Sequence, residues 1–269
     1  KPEGGKNGNV RGHIVVLIYS LYADNKESIN DKFMKLCQMA GACSQASAHE
    51  IIILCPHLAY QRQDRKTASR APIMTKIRAR MMEAAVTNKF CGLRFMFFDV
   101  HNLAAEQNAF DAPIDELSIR PLVADYLADR LDPEQPIVVG SPDGGGLKRA
   151  ELIRNALSKK MRQLYGRPFD IPLGFYDKIR ISATETKGGR FSIPVRGCQT
   201  IMVDDMMSTV GTMRDACNCV QNEENGGNVK ALVATHGLFV GNANENLQDI
   251  HAPLLVADSV DTFRLSPEN

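Results

Sequence analysis

Short, nearly unbroken apolar runs recur along this 269-residue chain: HIVVLIY (13–19), EIIILCP (50–56), LRFMFFDV (93–100), PIVVGS (136–141), QTIMVDD (199–205), VKALVATHG (229–237) and APLLVAD (252–258). Between most of them the apolar spacing changes to that of a helix, as in SINDKFMKLCQMAG, PIMTKIRARMMEAAV, IRPLVADYLADRL, LKRAELIRNALSKKMRQL and GTMRDACNCVQ. A strand that is apolar at every position has no solvent face. Alternation of such strands with helices therefore predicts an α/β fold whose parallel sheets are covered on both faces. The polar stretch DAPIDELSIRP reads as a loop at a domain boundary and predicts two doubly wound halves, residues 1–116 and 117–269. RFSIP, NEENGGN and TETKGGR read as loops.

Composition adds mainly exclusions. With 44% hydrophobic and 23% charged residues and a formal net charge of +1, the chain has the profile of a soluble globular protein without the basic footprint of a nucleic-acid binder. No apolar run approaches the length of a membrane span, and the polar, Gly-rich opening KPEGGKNGNVRG does not look like a signal peptide, so a cytoplasmic protein is expected. The 7 cysteines include no CxxC pair and read as free thiols of a reducing compartment.

The chemistry gathers where apolar runs end. In IMVDDMMSTVGTMRDAC, Asp204 and Asp205 close a strand at the carboxyl edge, the side on which open α/β sheets bind ligands. Ser208, Thr209, Gly211 and Thr212 follow at once, and hydroxyls with backbone N–H groups at a helix start suit a phosphate. One short segment thus has the groups to hold both ends of a phosphorylated sugar. In FFDVH, Asp99 and His101 occupy alternate positions at a strand end; that spacing suits a divalent metal or a hydrogen-bonded structural histidine, and it leaves both open. In SPDGGGLKRA, Asp143 stands before Gly144, Gly145 and Gly146, where bare backbone could approach a diphosphate and the acid could hold a metal; a plain strand-to-helix turn is the other reading. YQRQDRKTASR collects Arg62, Arg65, Lys66 and Arg70 behind a strand, as either a solvated loop or a grip for nucleotide phosphates. Lys178 and Arg180 in FYDKIRIS are candidates for stabilising charge that grows on transferring phosphates. His236 reads as structural.

Taken in order, YQRQDRKTASRAPI, FFDVH, SPDGGGLKRA, DKIR, VDDMMSTVGT and ATHGLF resemble the ribose-phosphate diphosphokinases, or phosphoribosyl pyrophosphate synthetases. The resemblance implies two domains of the type I phosphoribosyltransferase kind, the first serving ATP and metal and the second the sugar phosphate. It implies Mg²⁺-dependent transfer of the β,γ-diphosphate of ATP to the anomeric hydroxyl of ribose 5-phosphate, in nucleotide biosynthesis, by a homohexamer or its dimer unit. On this chain it places ATP at Arg62, Gln63, Asp64, Arg65 and His101, and metal at Asp99, His101 and Asp143. It places the ribose hydroxyls at Asp204 and Asp205, the 5′-phosphate at Ser208, Thr209, Gly211 and Thr212, and the diphosphate at Asp143, Gly144 and Gly145. Lys178 and Arg180 become the catalytic cations.

The sequence departs from the family in several places, among them residues 158–170, which look like an insertion lengthening a helix and its following loop. Ser208 stands where members usually carry Asp, which brings in a 5′-substituted ribose such as ADP-ribose as an alternative acceptor. The cationic motif reads Lys-Ile-Arg instead of Lys-Arg-Arg, and NLAAEQNAF follows His101 in place of a glutamine and Gly-Phe-Phe pattern. Members also carry a strand-and-helix segment ahead of the point where the resemblance begins. An inactive paralogue that regulates a synthetase, and a phosphoribosyltransferase, are the competing functions.

Overall fold

The computed structural model describes residues 9–180 and 186–267, without the side chains of residues 179, 180, 186 and 187. The chain divides into two compact units, Lys1–Leu117 and Ser118–Asn269. All seven predicted strands form, and both sheets are built from parallel pairs except for one antiparallel neighbour, so the α/β expectation holds.

In the first unit, β1 (Ile14–Ile18), β2 (Glu50–Cys55), β3 (Gly92–Phe98) and β4 (Ile114–Leu117) lie side by side in chain order, all parallel. They are joined through α1 (Ile29–Gln45), α2 (Met74–Ala84) and α3 (Leu103–Ala109). Helix α1 starts at a capping box, in which Ser28 accepts from the N–H of Asp31 and the Asp31 carboxylate accepts from that of Ser28. Burial alternates along the strands. Ile51, Ile53 and Cys55 are buried with Phe95 and Phe97, and they form one core with Leu36, Ala79 and Met82 of the helices. On the other face the register sets Val16 beside Ile52 and Ile52 beside Arg94, and Ile14, Val16 and Ile18 are 58%, 50% and 68% exposed. Strands that follow one another in order, with crossovers of one hand, carry their helices on a single face. Coverage of both faces, expected from the apolar runs, is therefore not what the described residues of this unit show.

The second unit holds a six-stranded sheet in the order β10-β9-β8-β5-β6-β7. Its elements are α4 (Arg120–Ala128), β5 (Ile137–Ser141), a 3₁₀ turn (Gly144–Gly146), α5 (Leu147–Tyr165), β6 (Leu173–Arg180) and β7 (Thr186–Phe191). They continue with β8 (Gln199–Met207), α6 (Gly211–Gln221), β9 (Asn228–Gly237), α7 (Ala243–Gln248) and β10 (Leu254–Ala257). Here β5 is buried at every position and β8 at all but one, as a sheet with two covered faces requires. From β5 the chain steps outward to β6 and β7, then returns to the other side of β5 for β8, β9 and β10. This reversal between β5 and β8 opens a crevice at their carboxyl ends, the usual ligand site of such sheets.

Two segments expected as loops are strands. DAPIDELSIRP contains β4 and the start of α4, and the TKGGR of the loop after DKIR, with the Phe of RFSIP, forms β7 antiparallel to β6. No helix of the described residues is long and apolar enough to cross a membrane. None of the seven cysteines is in a disulfide; Cys55, Cys217 and Cys219 are buried.

Candidate active site

In the second unit the crevice between β5 and β8 is lined by the acidic pair. The apolar run continues past it: β8 extends to Met207, with Asp204 paired to Ala234 of β9. The aspartates thus lie inside the strand, not at its end as the sequence suggested. They are uncovered on the other side because β5 pairs with β8 only as far as Gly140 and Met202. Asp205 is buried and Asp204 half-buried. The Asp204 carboxylate accepts from the backbone N–H of Asp205 at 2.8 Å. Arg149, in the first turn of α5, reaches both carboxylates, with Nη1 3.4 Å from Asp204 and 3.5 Å from Asp205. Burial and the adjacent charge of Asp205 push the Asp204 carboxyl up to about 8, and Arg149 offsets this only in part. Below about pH 8 the pair holds one negative charge facing one guanidinium, and it gains a second only as Asp204 ionises, a step that a bound cation or hydroxyl donors would favour.

The turn after β5 is held by its own acid. The Asp143 carboxylate accepts from the N–H of Gly146 at 3.1 Å, while Gly144 and Gly145 stay exposed. A Cβ at Gly146 would collide with the Ser141 hydroxyl. Gly146→Ala is expected to lower stability by about 1–3 kcal/mol, the range for overpacking, read as a lower urea midpoint with an unchanged slope. An unchanged midpoint would show that the turn relaxes freely.

The small polar residues form the turn from β8 into α6. Their carbonyls are tied away from the helix start: Met207 accepts from the N–H groups of Leu238 and Phe239, Ser208 from that of Val240, and Thr209 from the Asn246 amide at 2.7 Å. Helix α6 has no side-chain cap, so its first N–H groups face outward as an anion site would require. Lys178 crosses from β6 and donates to the Thr212 hydroxyl at 2.8 Å. The predicted cation and the predicted phosphate turn therefore meet. The side chain of Arg180 lies outside the described residues.

In the first unit the two predicted motifs are bonded to each other. Gln61 accepts from the His101 N–H at 2.9 Å, and Asp64 accepts from the Asn102 amide at 2.7 Å. Asn102 also caps α3 by accepting from the N–H of Ala105. Arg62, Gln63 and Arg65 are exposed. Asp99 does not project alongside His101 as a strand end would have it: β3 stops at Phe98, and Asp99 has φ +33°. Of the six described non-glycine residues with positive φ, Tyr60, Arg70, Asp99, Val210 and Phe239 lie in the segments singled out from sequence and Ser47 does not. Strain of this kind collects at functional sites.

Comparison with known proteins gives the family. The family profile of the N-terminal domain of ribose phosphate pyrophosphokinase matches residues 5–85. Ribose-phosphate pyrophosphokinase 1 of Streptococcus agalactiae is 31% identical over 262 residues, covering 97% of this chain and 73% of its own length. The protein of the same name from Streptococcus pyogenes is 32% identical over 255 residues, covering 94% of this chain and 72% of its own. The chain belongs to the ribose-phosphate pyrophosphokinase family. The crystal structure of phosphoribosylpyrophosphate synthetase from Mycobacterium smegmatis superposes with a TM-score of 0.78 at 27% identity, over 96% of this chain and 78% of that one. The sheets are thus those of the type I phosphoribosyltransferase-like fold of this enzyme family.

Sequence reasoning missed three residues of these arrangements: Arg149, Gln61 and Asn102. Arg149 had a signal, since a cation just past a glycine turn lies in the first helical turn and faces the strand ends. Gln61 and Asn102 had none, because both act by bonding across a long stretch of sequence. Among the described residues no three His, Cys, Asp or Glu side chains are grouped as a metal-binding cluster. Mg²⁺ carried by phosphates needs only one or two protein carboxylates, a demand that the Asp204–Asp205 pair fits.

Proposed function

We propose that this family member transfers the β,γ-diphosphate of ATP to the anomeric hydroxyl of ribose 5-phosphate, giving 5-phosphoribosyl 1-diphosphate and AMP. The observation that carries the reading is the crevice between β5 and β8, where an acidic pair, an arginine, a glycine turn and a lysine-bonded hydroxyl turn come together. In this reading Asp204 and Asp205 accept from the ribose hydroxyls, and the turn at Ser208, Thr209, Gly211 and Thr212 takes the 5′-phosphate on its N–H groups. Gly144 and Gly145 let the backbone approach the incoming diphosphate. Arg62, Gln63, Asp64, Arg65 and His101 receive ATP. In the transfer the anomeric oxygen bonds to the β-phosphorus, the bond from that phosphorus to the α,β-bridging oxygen breaks, AMP leaves and the hydroxyl proton is released. Lys178 and Arg180 face the charge that grows on the diphosphate.

Asp204 and Asp205 would hold Mg²⁺ on the sugar side, with Asp99, His101 and Asp143 as further candidates. Bound there, it would neutralise diphosphate charge. The protein's own contribution is positioning, which for phosphoryl chemistry accounts for most of the acceleration.

The test is AMP formation from ATP and Mg²⁺ with ribose 5-phosphate and ADP-ribose offered separately. AMP with ribose 5-phosphate alone is expected. Ser208, in place of the usual carboxylate, leaves room at the 5′ end, and AMP with ADP-ribose would move the assignment to that acceptor. AMP with neither sugar would leave a regulatory paralogue or a phosphoribosyltransferase.

A further inference from the structure

Arg78 and Glu106 form an ion pair in the core of the first unit, each 1% exposed. Arg78 lies on α2 and Glu106 on α3. The other guanidinium nitrogen of Arg78 donates to the carbonyl of Ala59, a residue with no exposed surface. Burial pushes the Glu106 carboxyl up to about 7 and Arg78 draws it back, so the pair sits where charge is costly. Such pairs can often be replaced by apolar side chains of similar size with no loss of stability. Stability alone therefore does not explain why this core holds one.

The position of Ala59 offers a reason. It immediately precedes Tyr60, whose φ is +60°, and Gln61, whose buried side chain holds the His101 N–H. A backbone in that conformation persists only when its surroundings fix it. The Arg78 fork fixes the carbonyl at its entrance. Tyr60 is also anchored through its hydroxyl to Asn30 of α1. Glu106 ties the same arginine to α3, whose cap, Asn102, is bonded to Asp64. The loop at 59–64 is thus gripped from behind by a charged pair and from in front by Gln61 and Asp64. An apolar pair could fill the space but could not hold the Ala59 carbonyl.

We propose that the Arg78–Glu106 pair is a positioning device that presents the loop carrying Arg62 and Gln63, together with His101, to the nucleotide. The proposal rests on the assignment of ATP to that loop, and the variants are chosen to separate the two. The probe is α,β-methylene-ATP with Mg²⁺, which cannot transfer its diphosphate, titrated into the 269-residue chain beside a parallel titration with ribose 5-phosphate. Arg78→Met/Glu106→Leu keeps the core filled; relief of two buried charges offsets the Ala59 carbonyl left unpaired, and a melting temperature close to that of the parent is expected. Its Kd for the nucleotide should rise on the order of tenfold while its Kd for ribose 5-phosphate stays the same. Arg78→Lys keeps the charge pair but cannot fork to Ala59, so it should weaken nucleotide binding in the same way. A folded double variant that binds the nucleotide like the parent, with Arg62→Ala losing it, overturns the positioning role and leaves the ATP assignment standing. If the double variant does not fold, unchanged affinity in Arg78→Lys overturns the role. Unchanged affinity in Arg62→Ala removes the ATP assignment and the proposal with it.

Discussion

Replacing Lys178 by Ala is expected to cut kcat for AMP formation by about 10²–10³, the loss typical when one charge-stabilising group is removed, and to change ribose 5-phosphate affinity far less. In the ligand-free protein the ammonium group makes a hydrogen bond to the uncharged Thr212 hydroxyl at 2.8 Å. Such a contact contributes roughly 1 kcal/mol, or 1.5–3 where one partner is charged. A charge that grows on the diphosphate only during transfer is worth more to the lysine than this hydroxyl is, so the loss falls on the transition state. Thr212→Val supplies the contrast. If Lys178 served only to orient the phosphate turn, the two variants would behave alike, raising the Kd for ribose 5-phosphate and sparing kcat. Single-turnover rates at saturating sugar, together with sugar affinities, separate the outcomes. Lower affinity with unchanged turnover in Lys178→Ala would contradict the catalytic role.

How far the sequence could be read depended on which forces were local. The strands β2, β5, β8 and β9 were legible because unbroken apolar runs have no other comfortable state, and α6 was read with its bounds, Gly211 to Gln221. β4 was hidden because IDEL sets two adjacent acids between its aliphatics, breaking the alternation that marks a strand, and lies between turn residues. β7 was hidden by two glycines: Gly188 has a φ of +66°, and a Cβ at Gly189 would run into the Tyr176 ring on the neighbouring strand. The short helices α3 and α7 offered too few residues for a period to show.

The site followed the same division. Asp204, Asp205, Lys178 and Thr212 stood out because their chemical types cluster at the ends of apolar runs. What the sequence did not announce was geometry set from a distance. The positive φ of Asp99 breaks the alternation that would have placed it alongside His101, and Arg149 reaches 55 residues along the chain to Asp204. Met206 and Met207, both buried, carry β8 beyond the acids that looked like its end.

Those acids support the second large effect. Asp205→Asn is expected to lower sugar affinity and turnover together by about ten- to a hundredfold, since a charge-assisted hydrogen bond to a ligand hydroxyl is worth roughly 1.5–3 kcal/mol, while making the ligand-free protein more stable. Burial and the Asp205 charge both hold the Asp204 carboxyl far above its ordinary range, at about 8, with Arg149 opposing them. A carboxyl whose folded pKa is raised contributes stability at pH values below about 4, and that contribution is lost as pH climbs through about 8. The ligand-free parent should therefore melt at falling temperature across that window. In Asp205→Asn the neighbouring charge is gone but burial remains, so the decline should be shallower without vanishing. Affinity for ribose 5-phosphate with Mg²⁺ should move the opposite way in the parent, rising through the same window as the pair gains its second negative charge. Melting temperatures and sugar affinities measured in steps from pH 5 to 9 test both trends. Parallel melting curves for parent and variant would mean that the two carboxylates do not repel each other in the folded protein, and that the crevice is not held ready for a cation by unbalanced charge. If the slopes diverge, the activity of this site is obtained at the expense of the stability of the strand that carries it, the trade expected where a sheet must keep two acids side by side for a ligand.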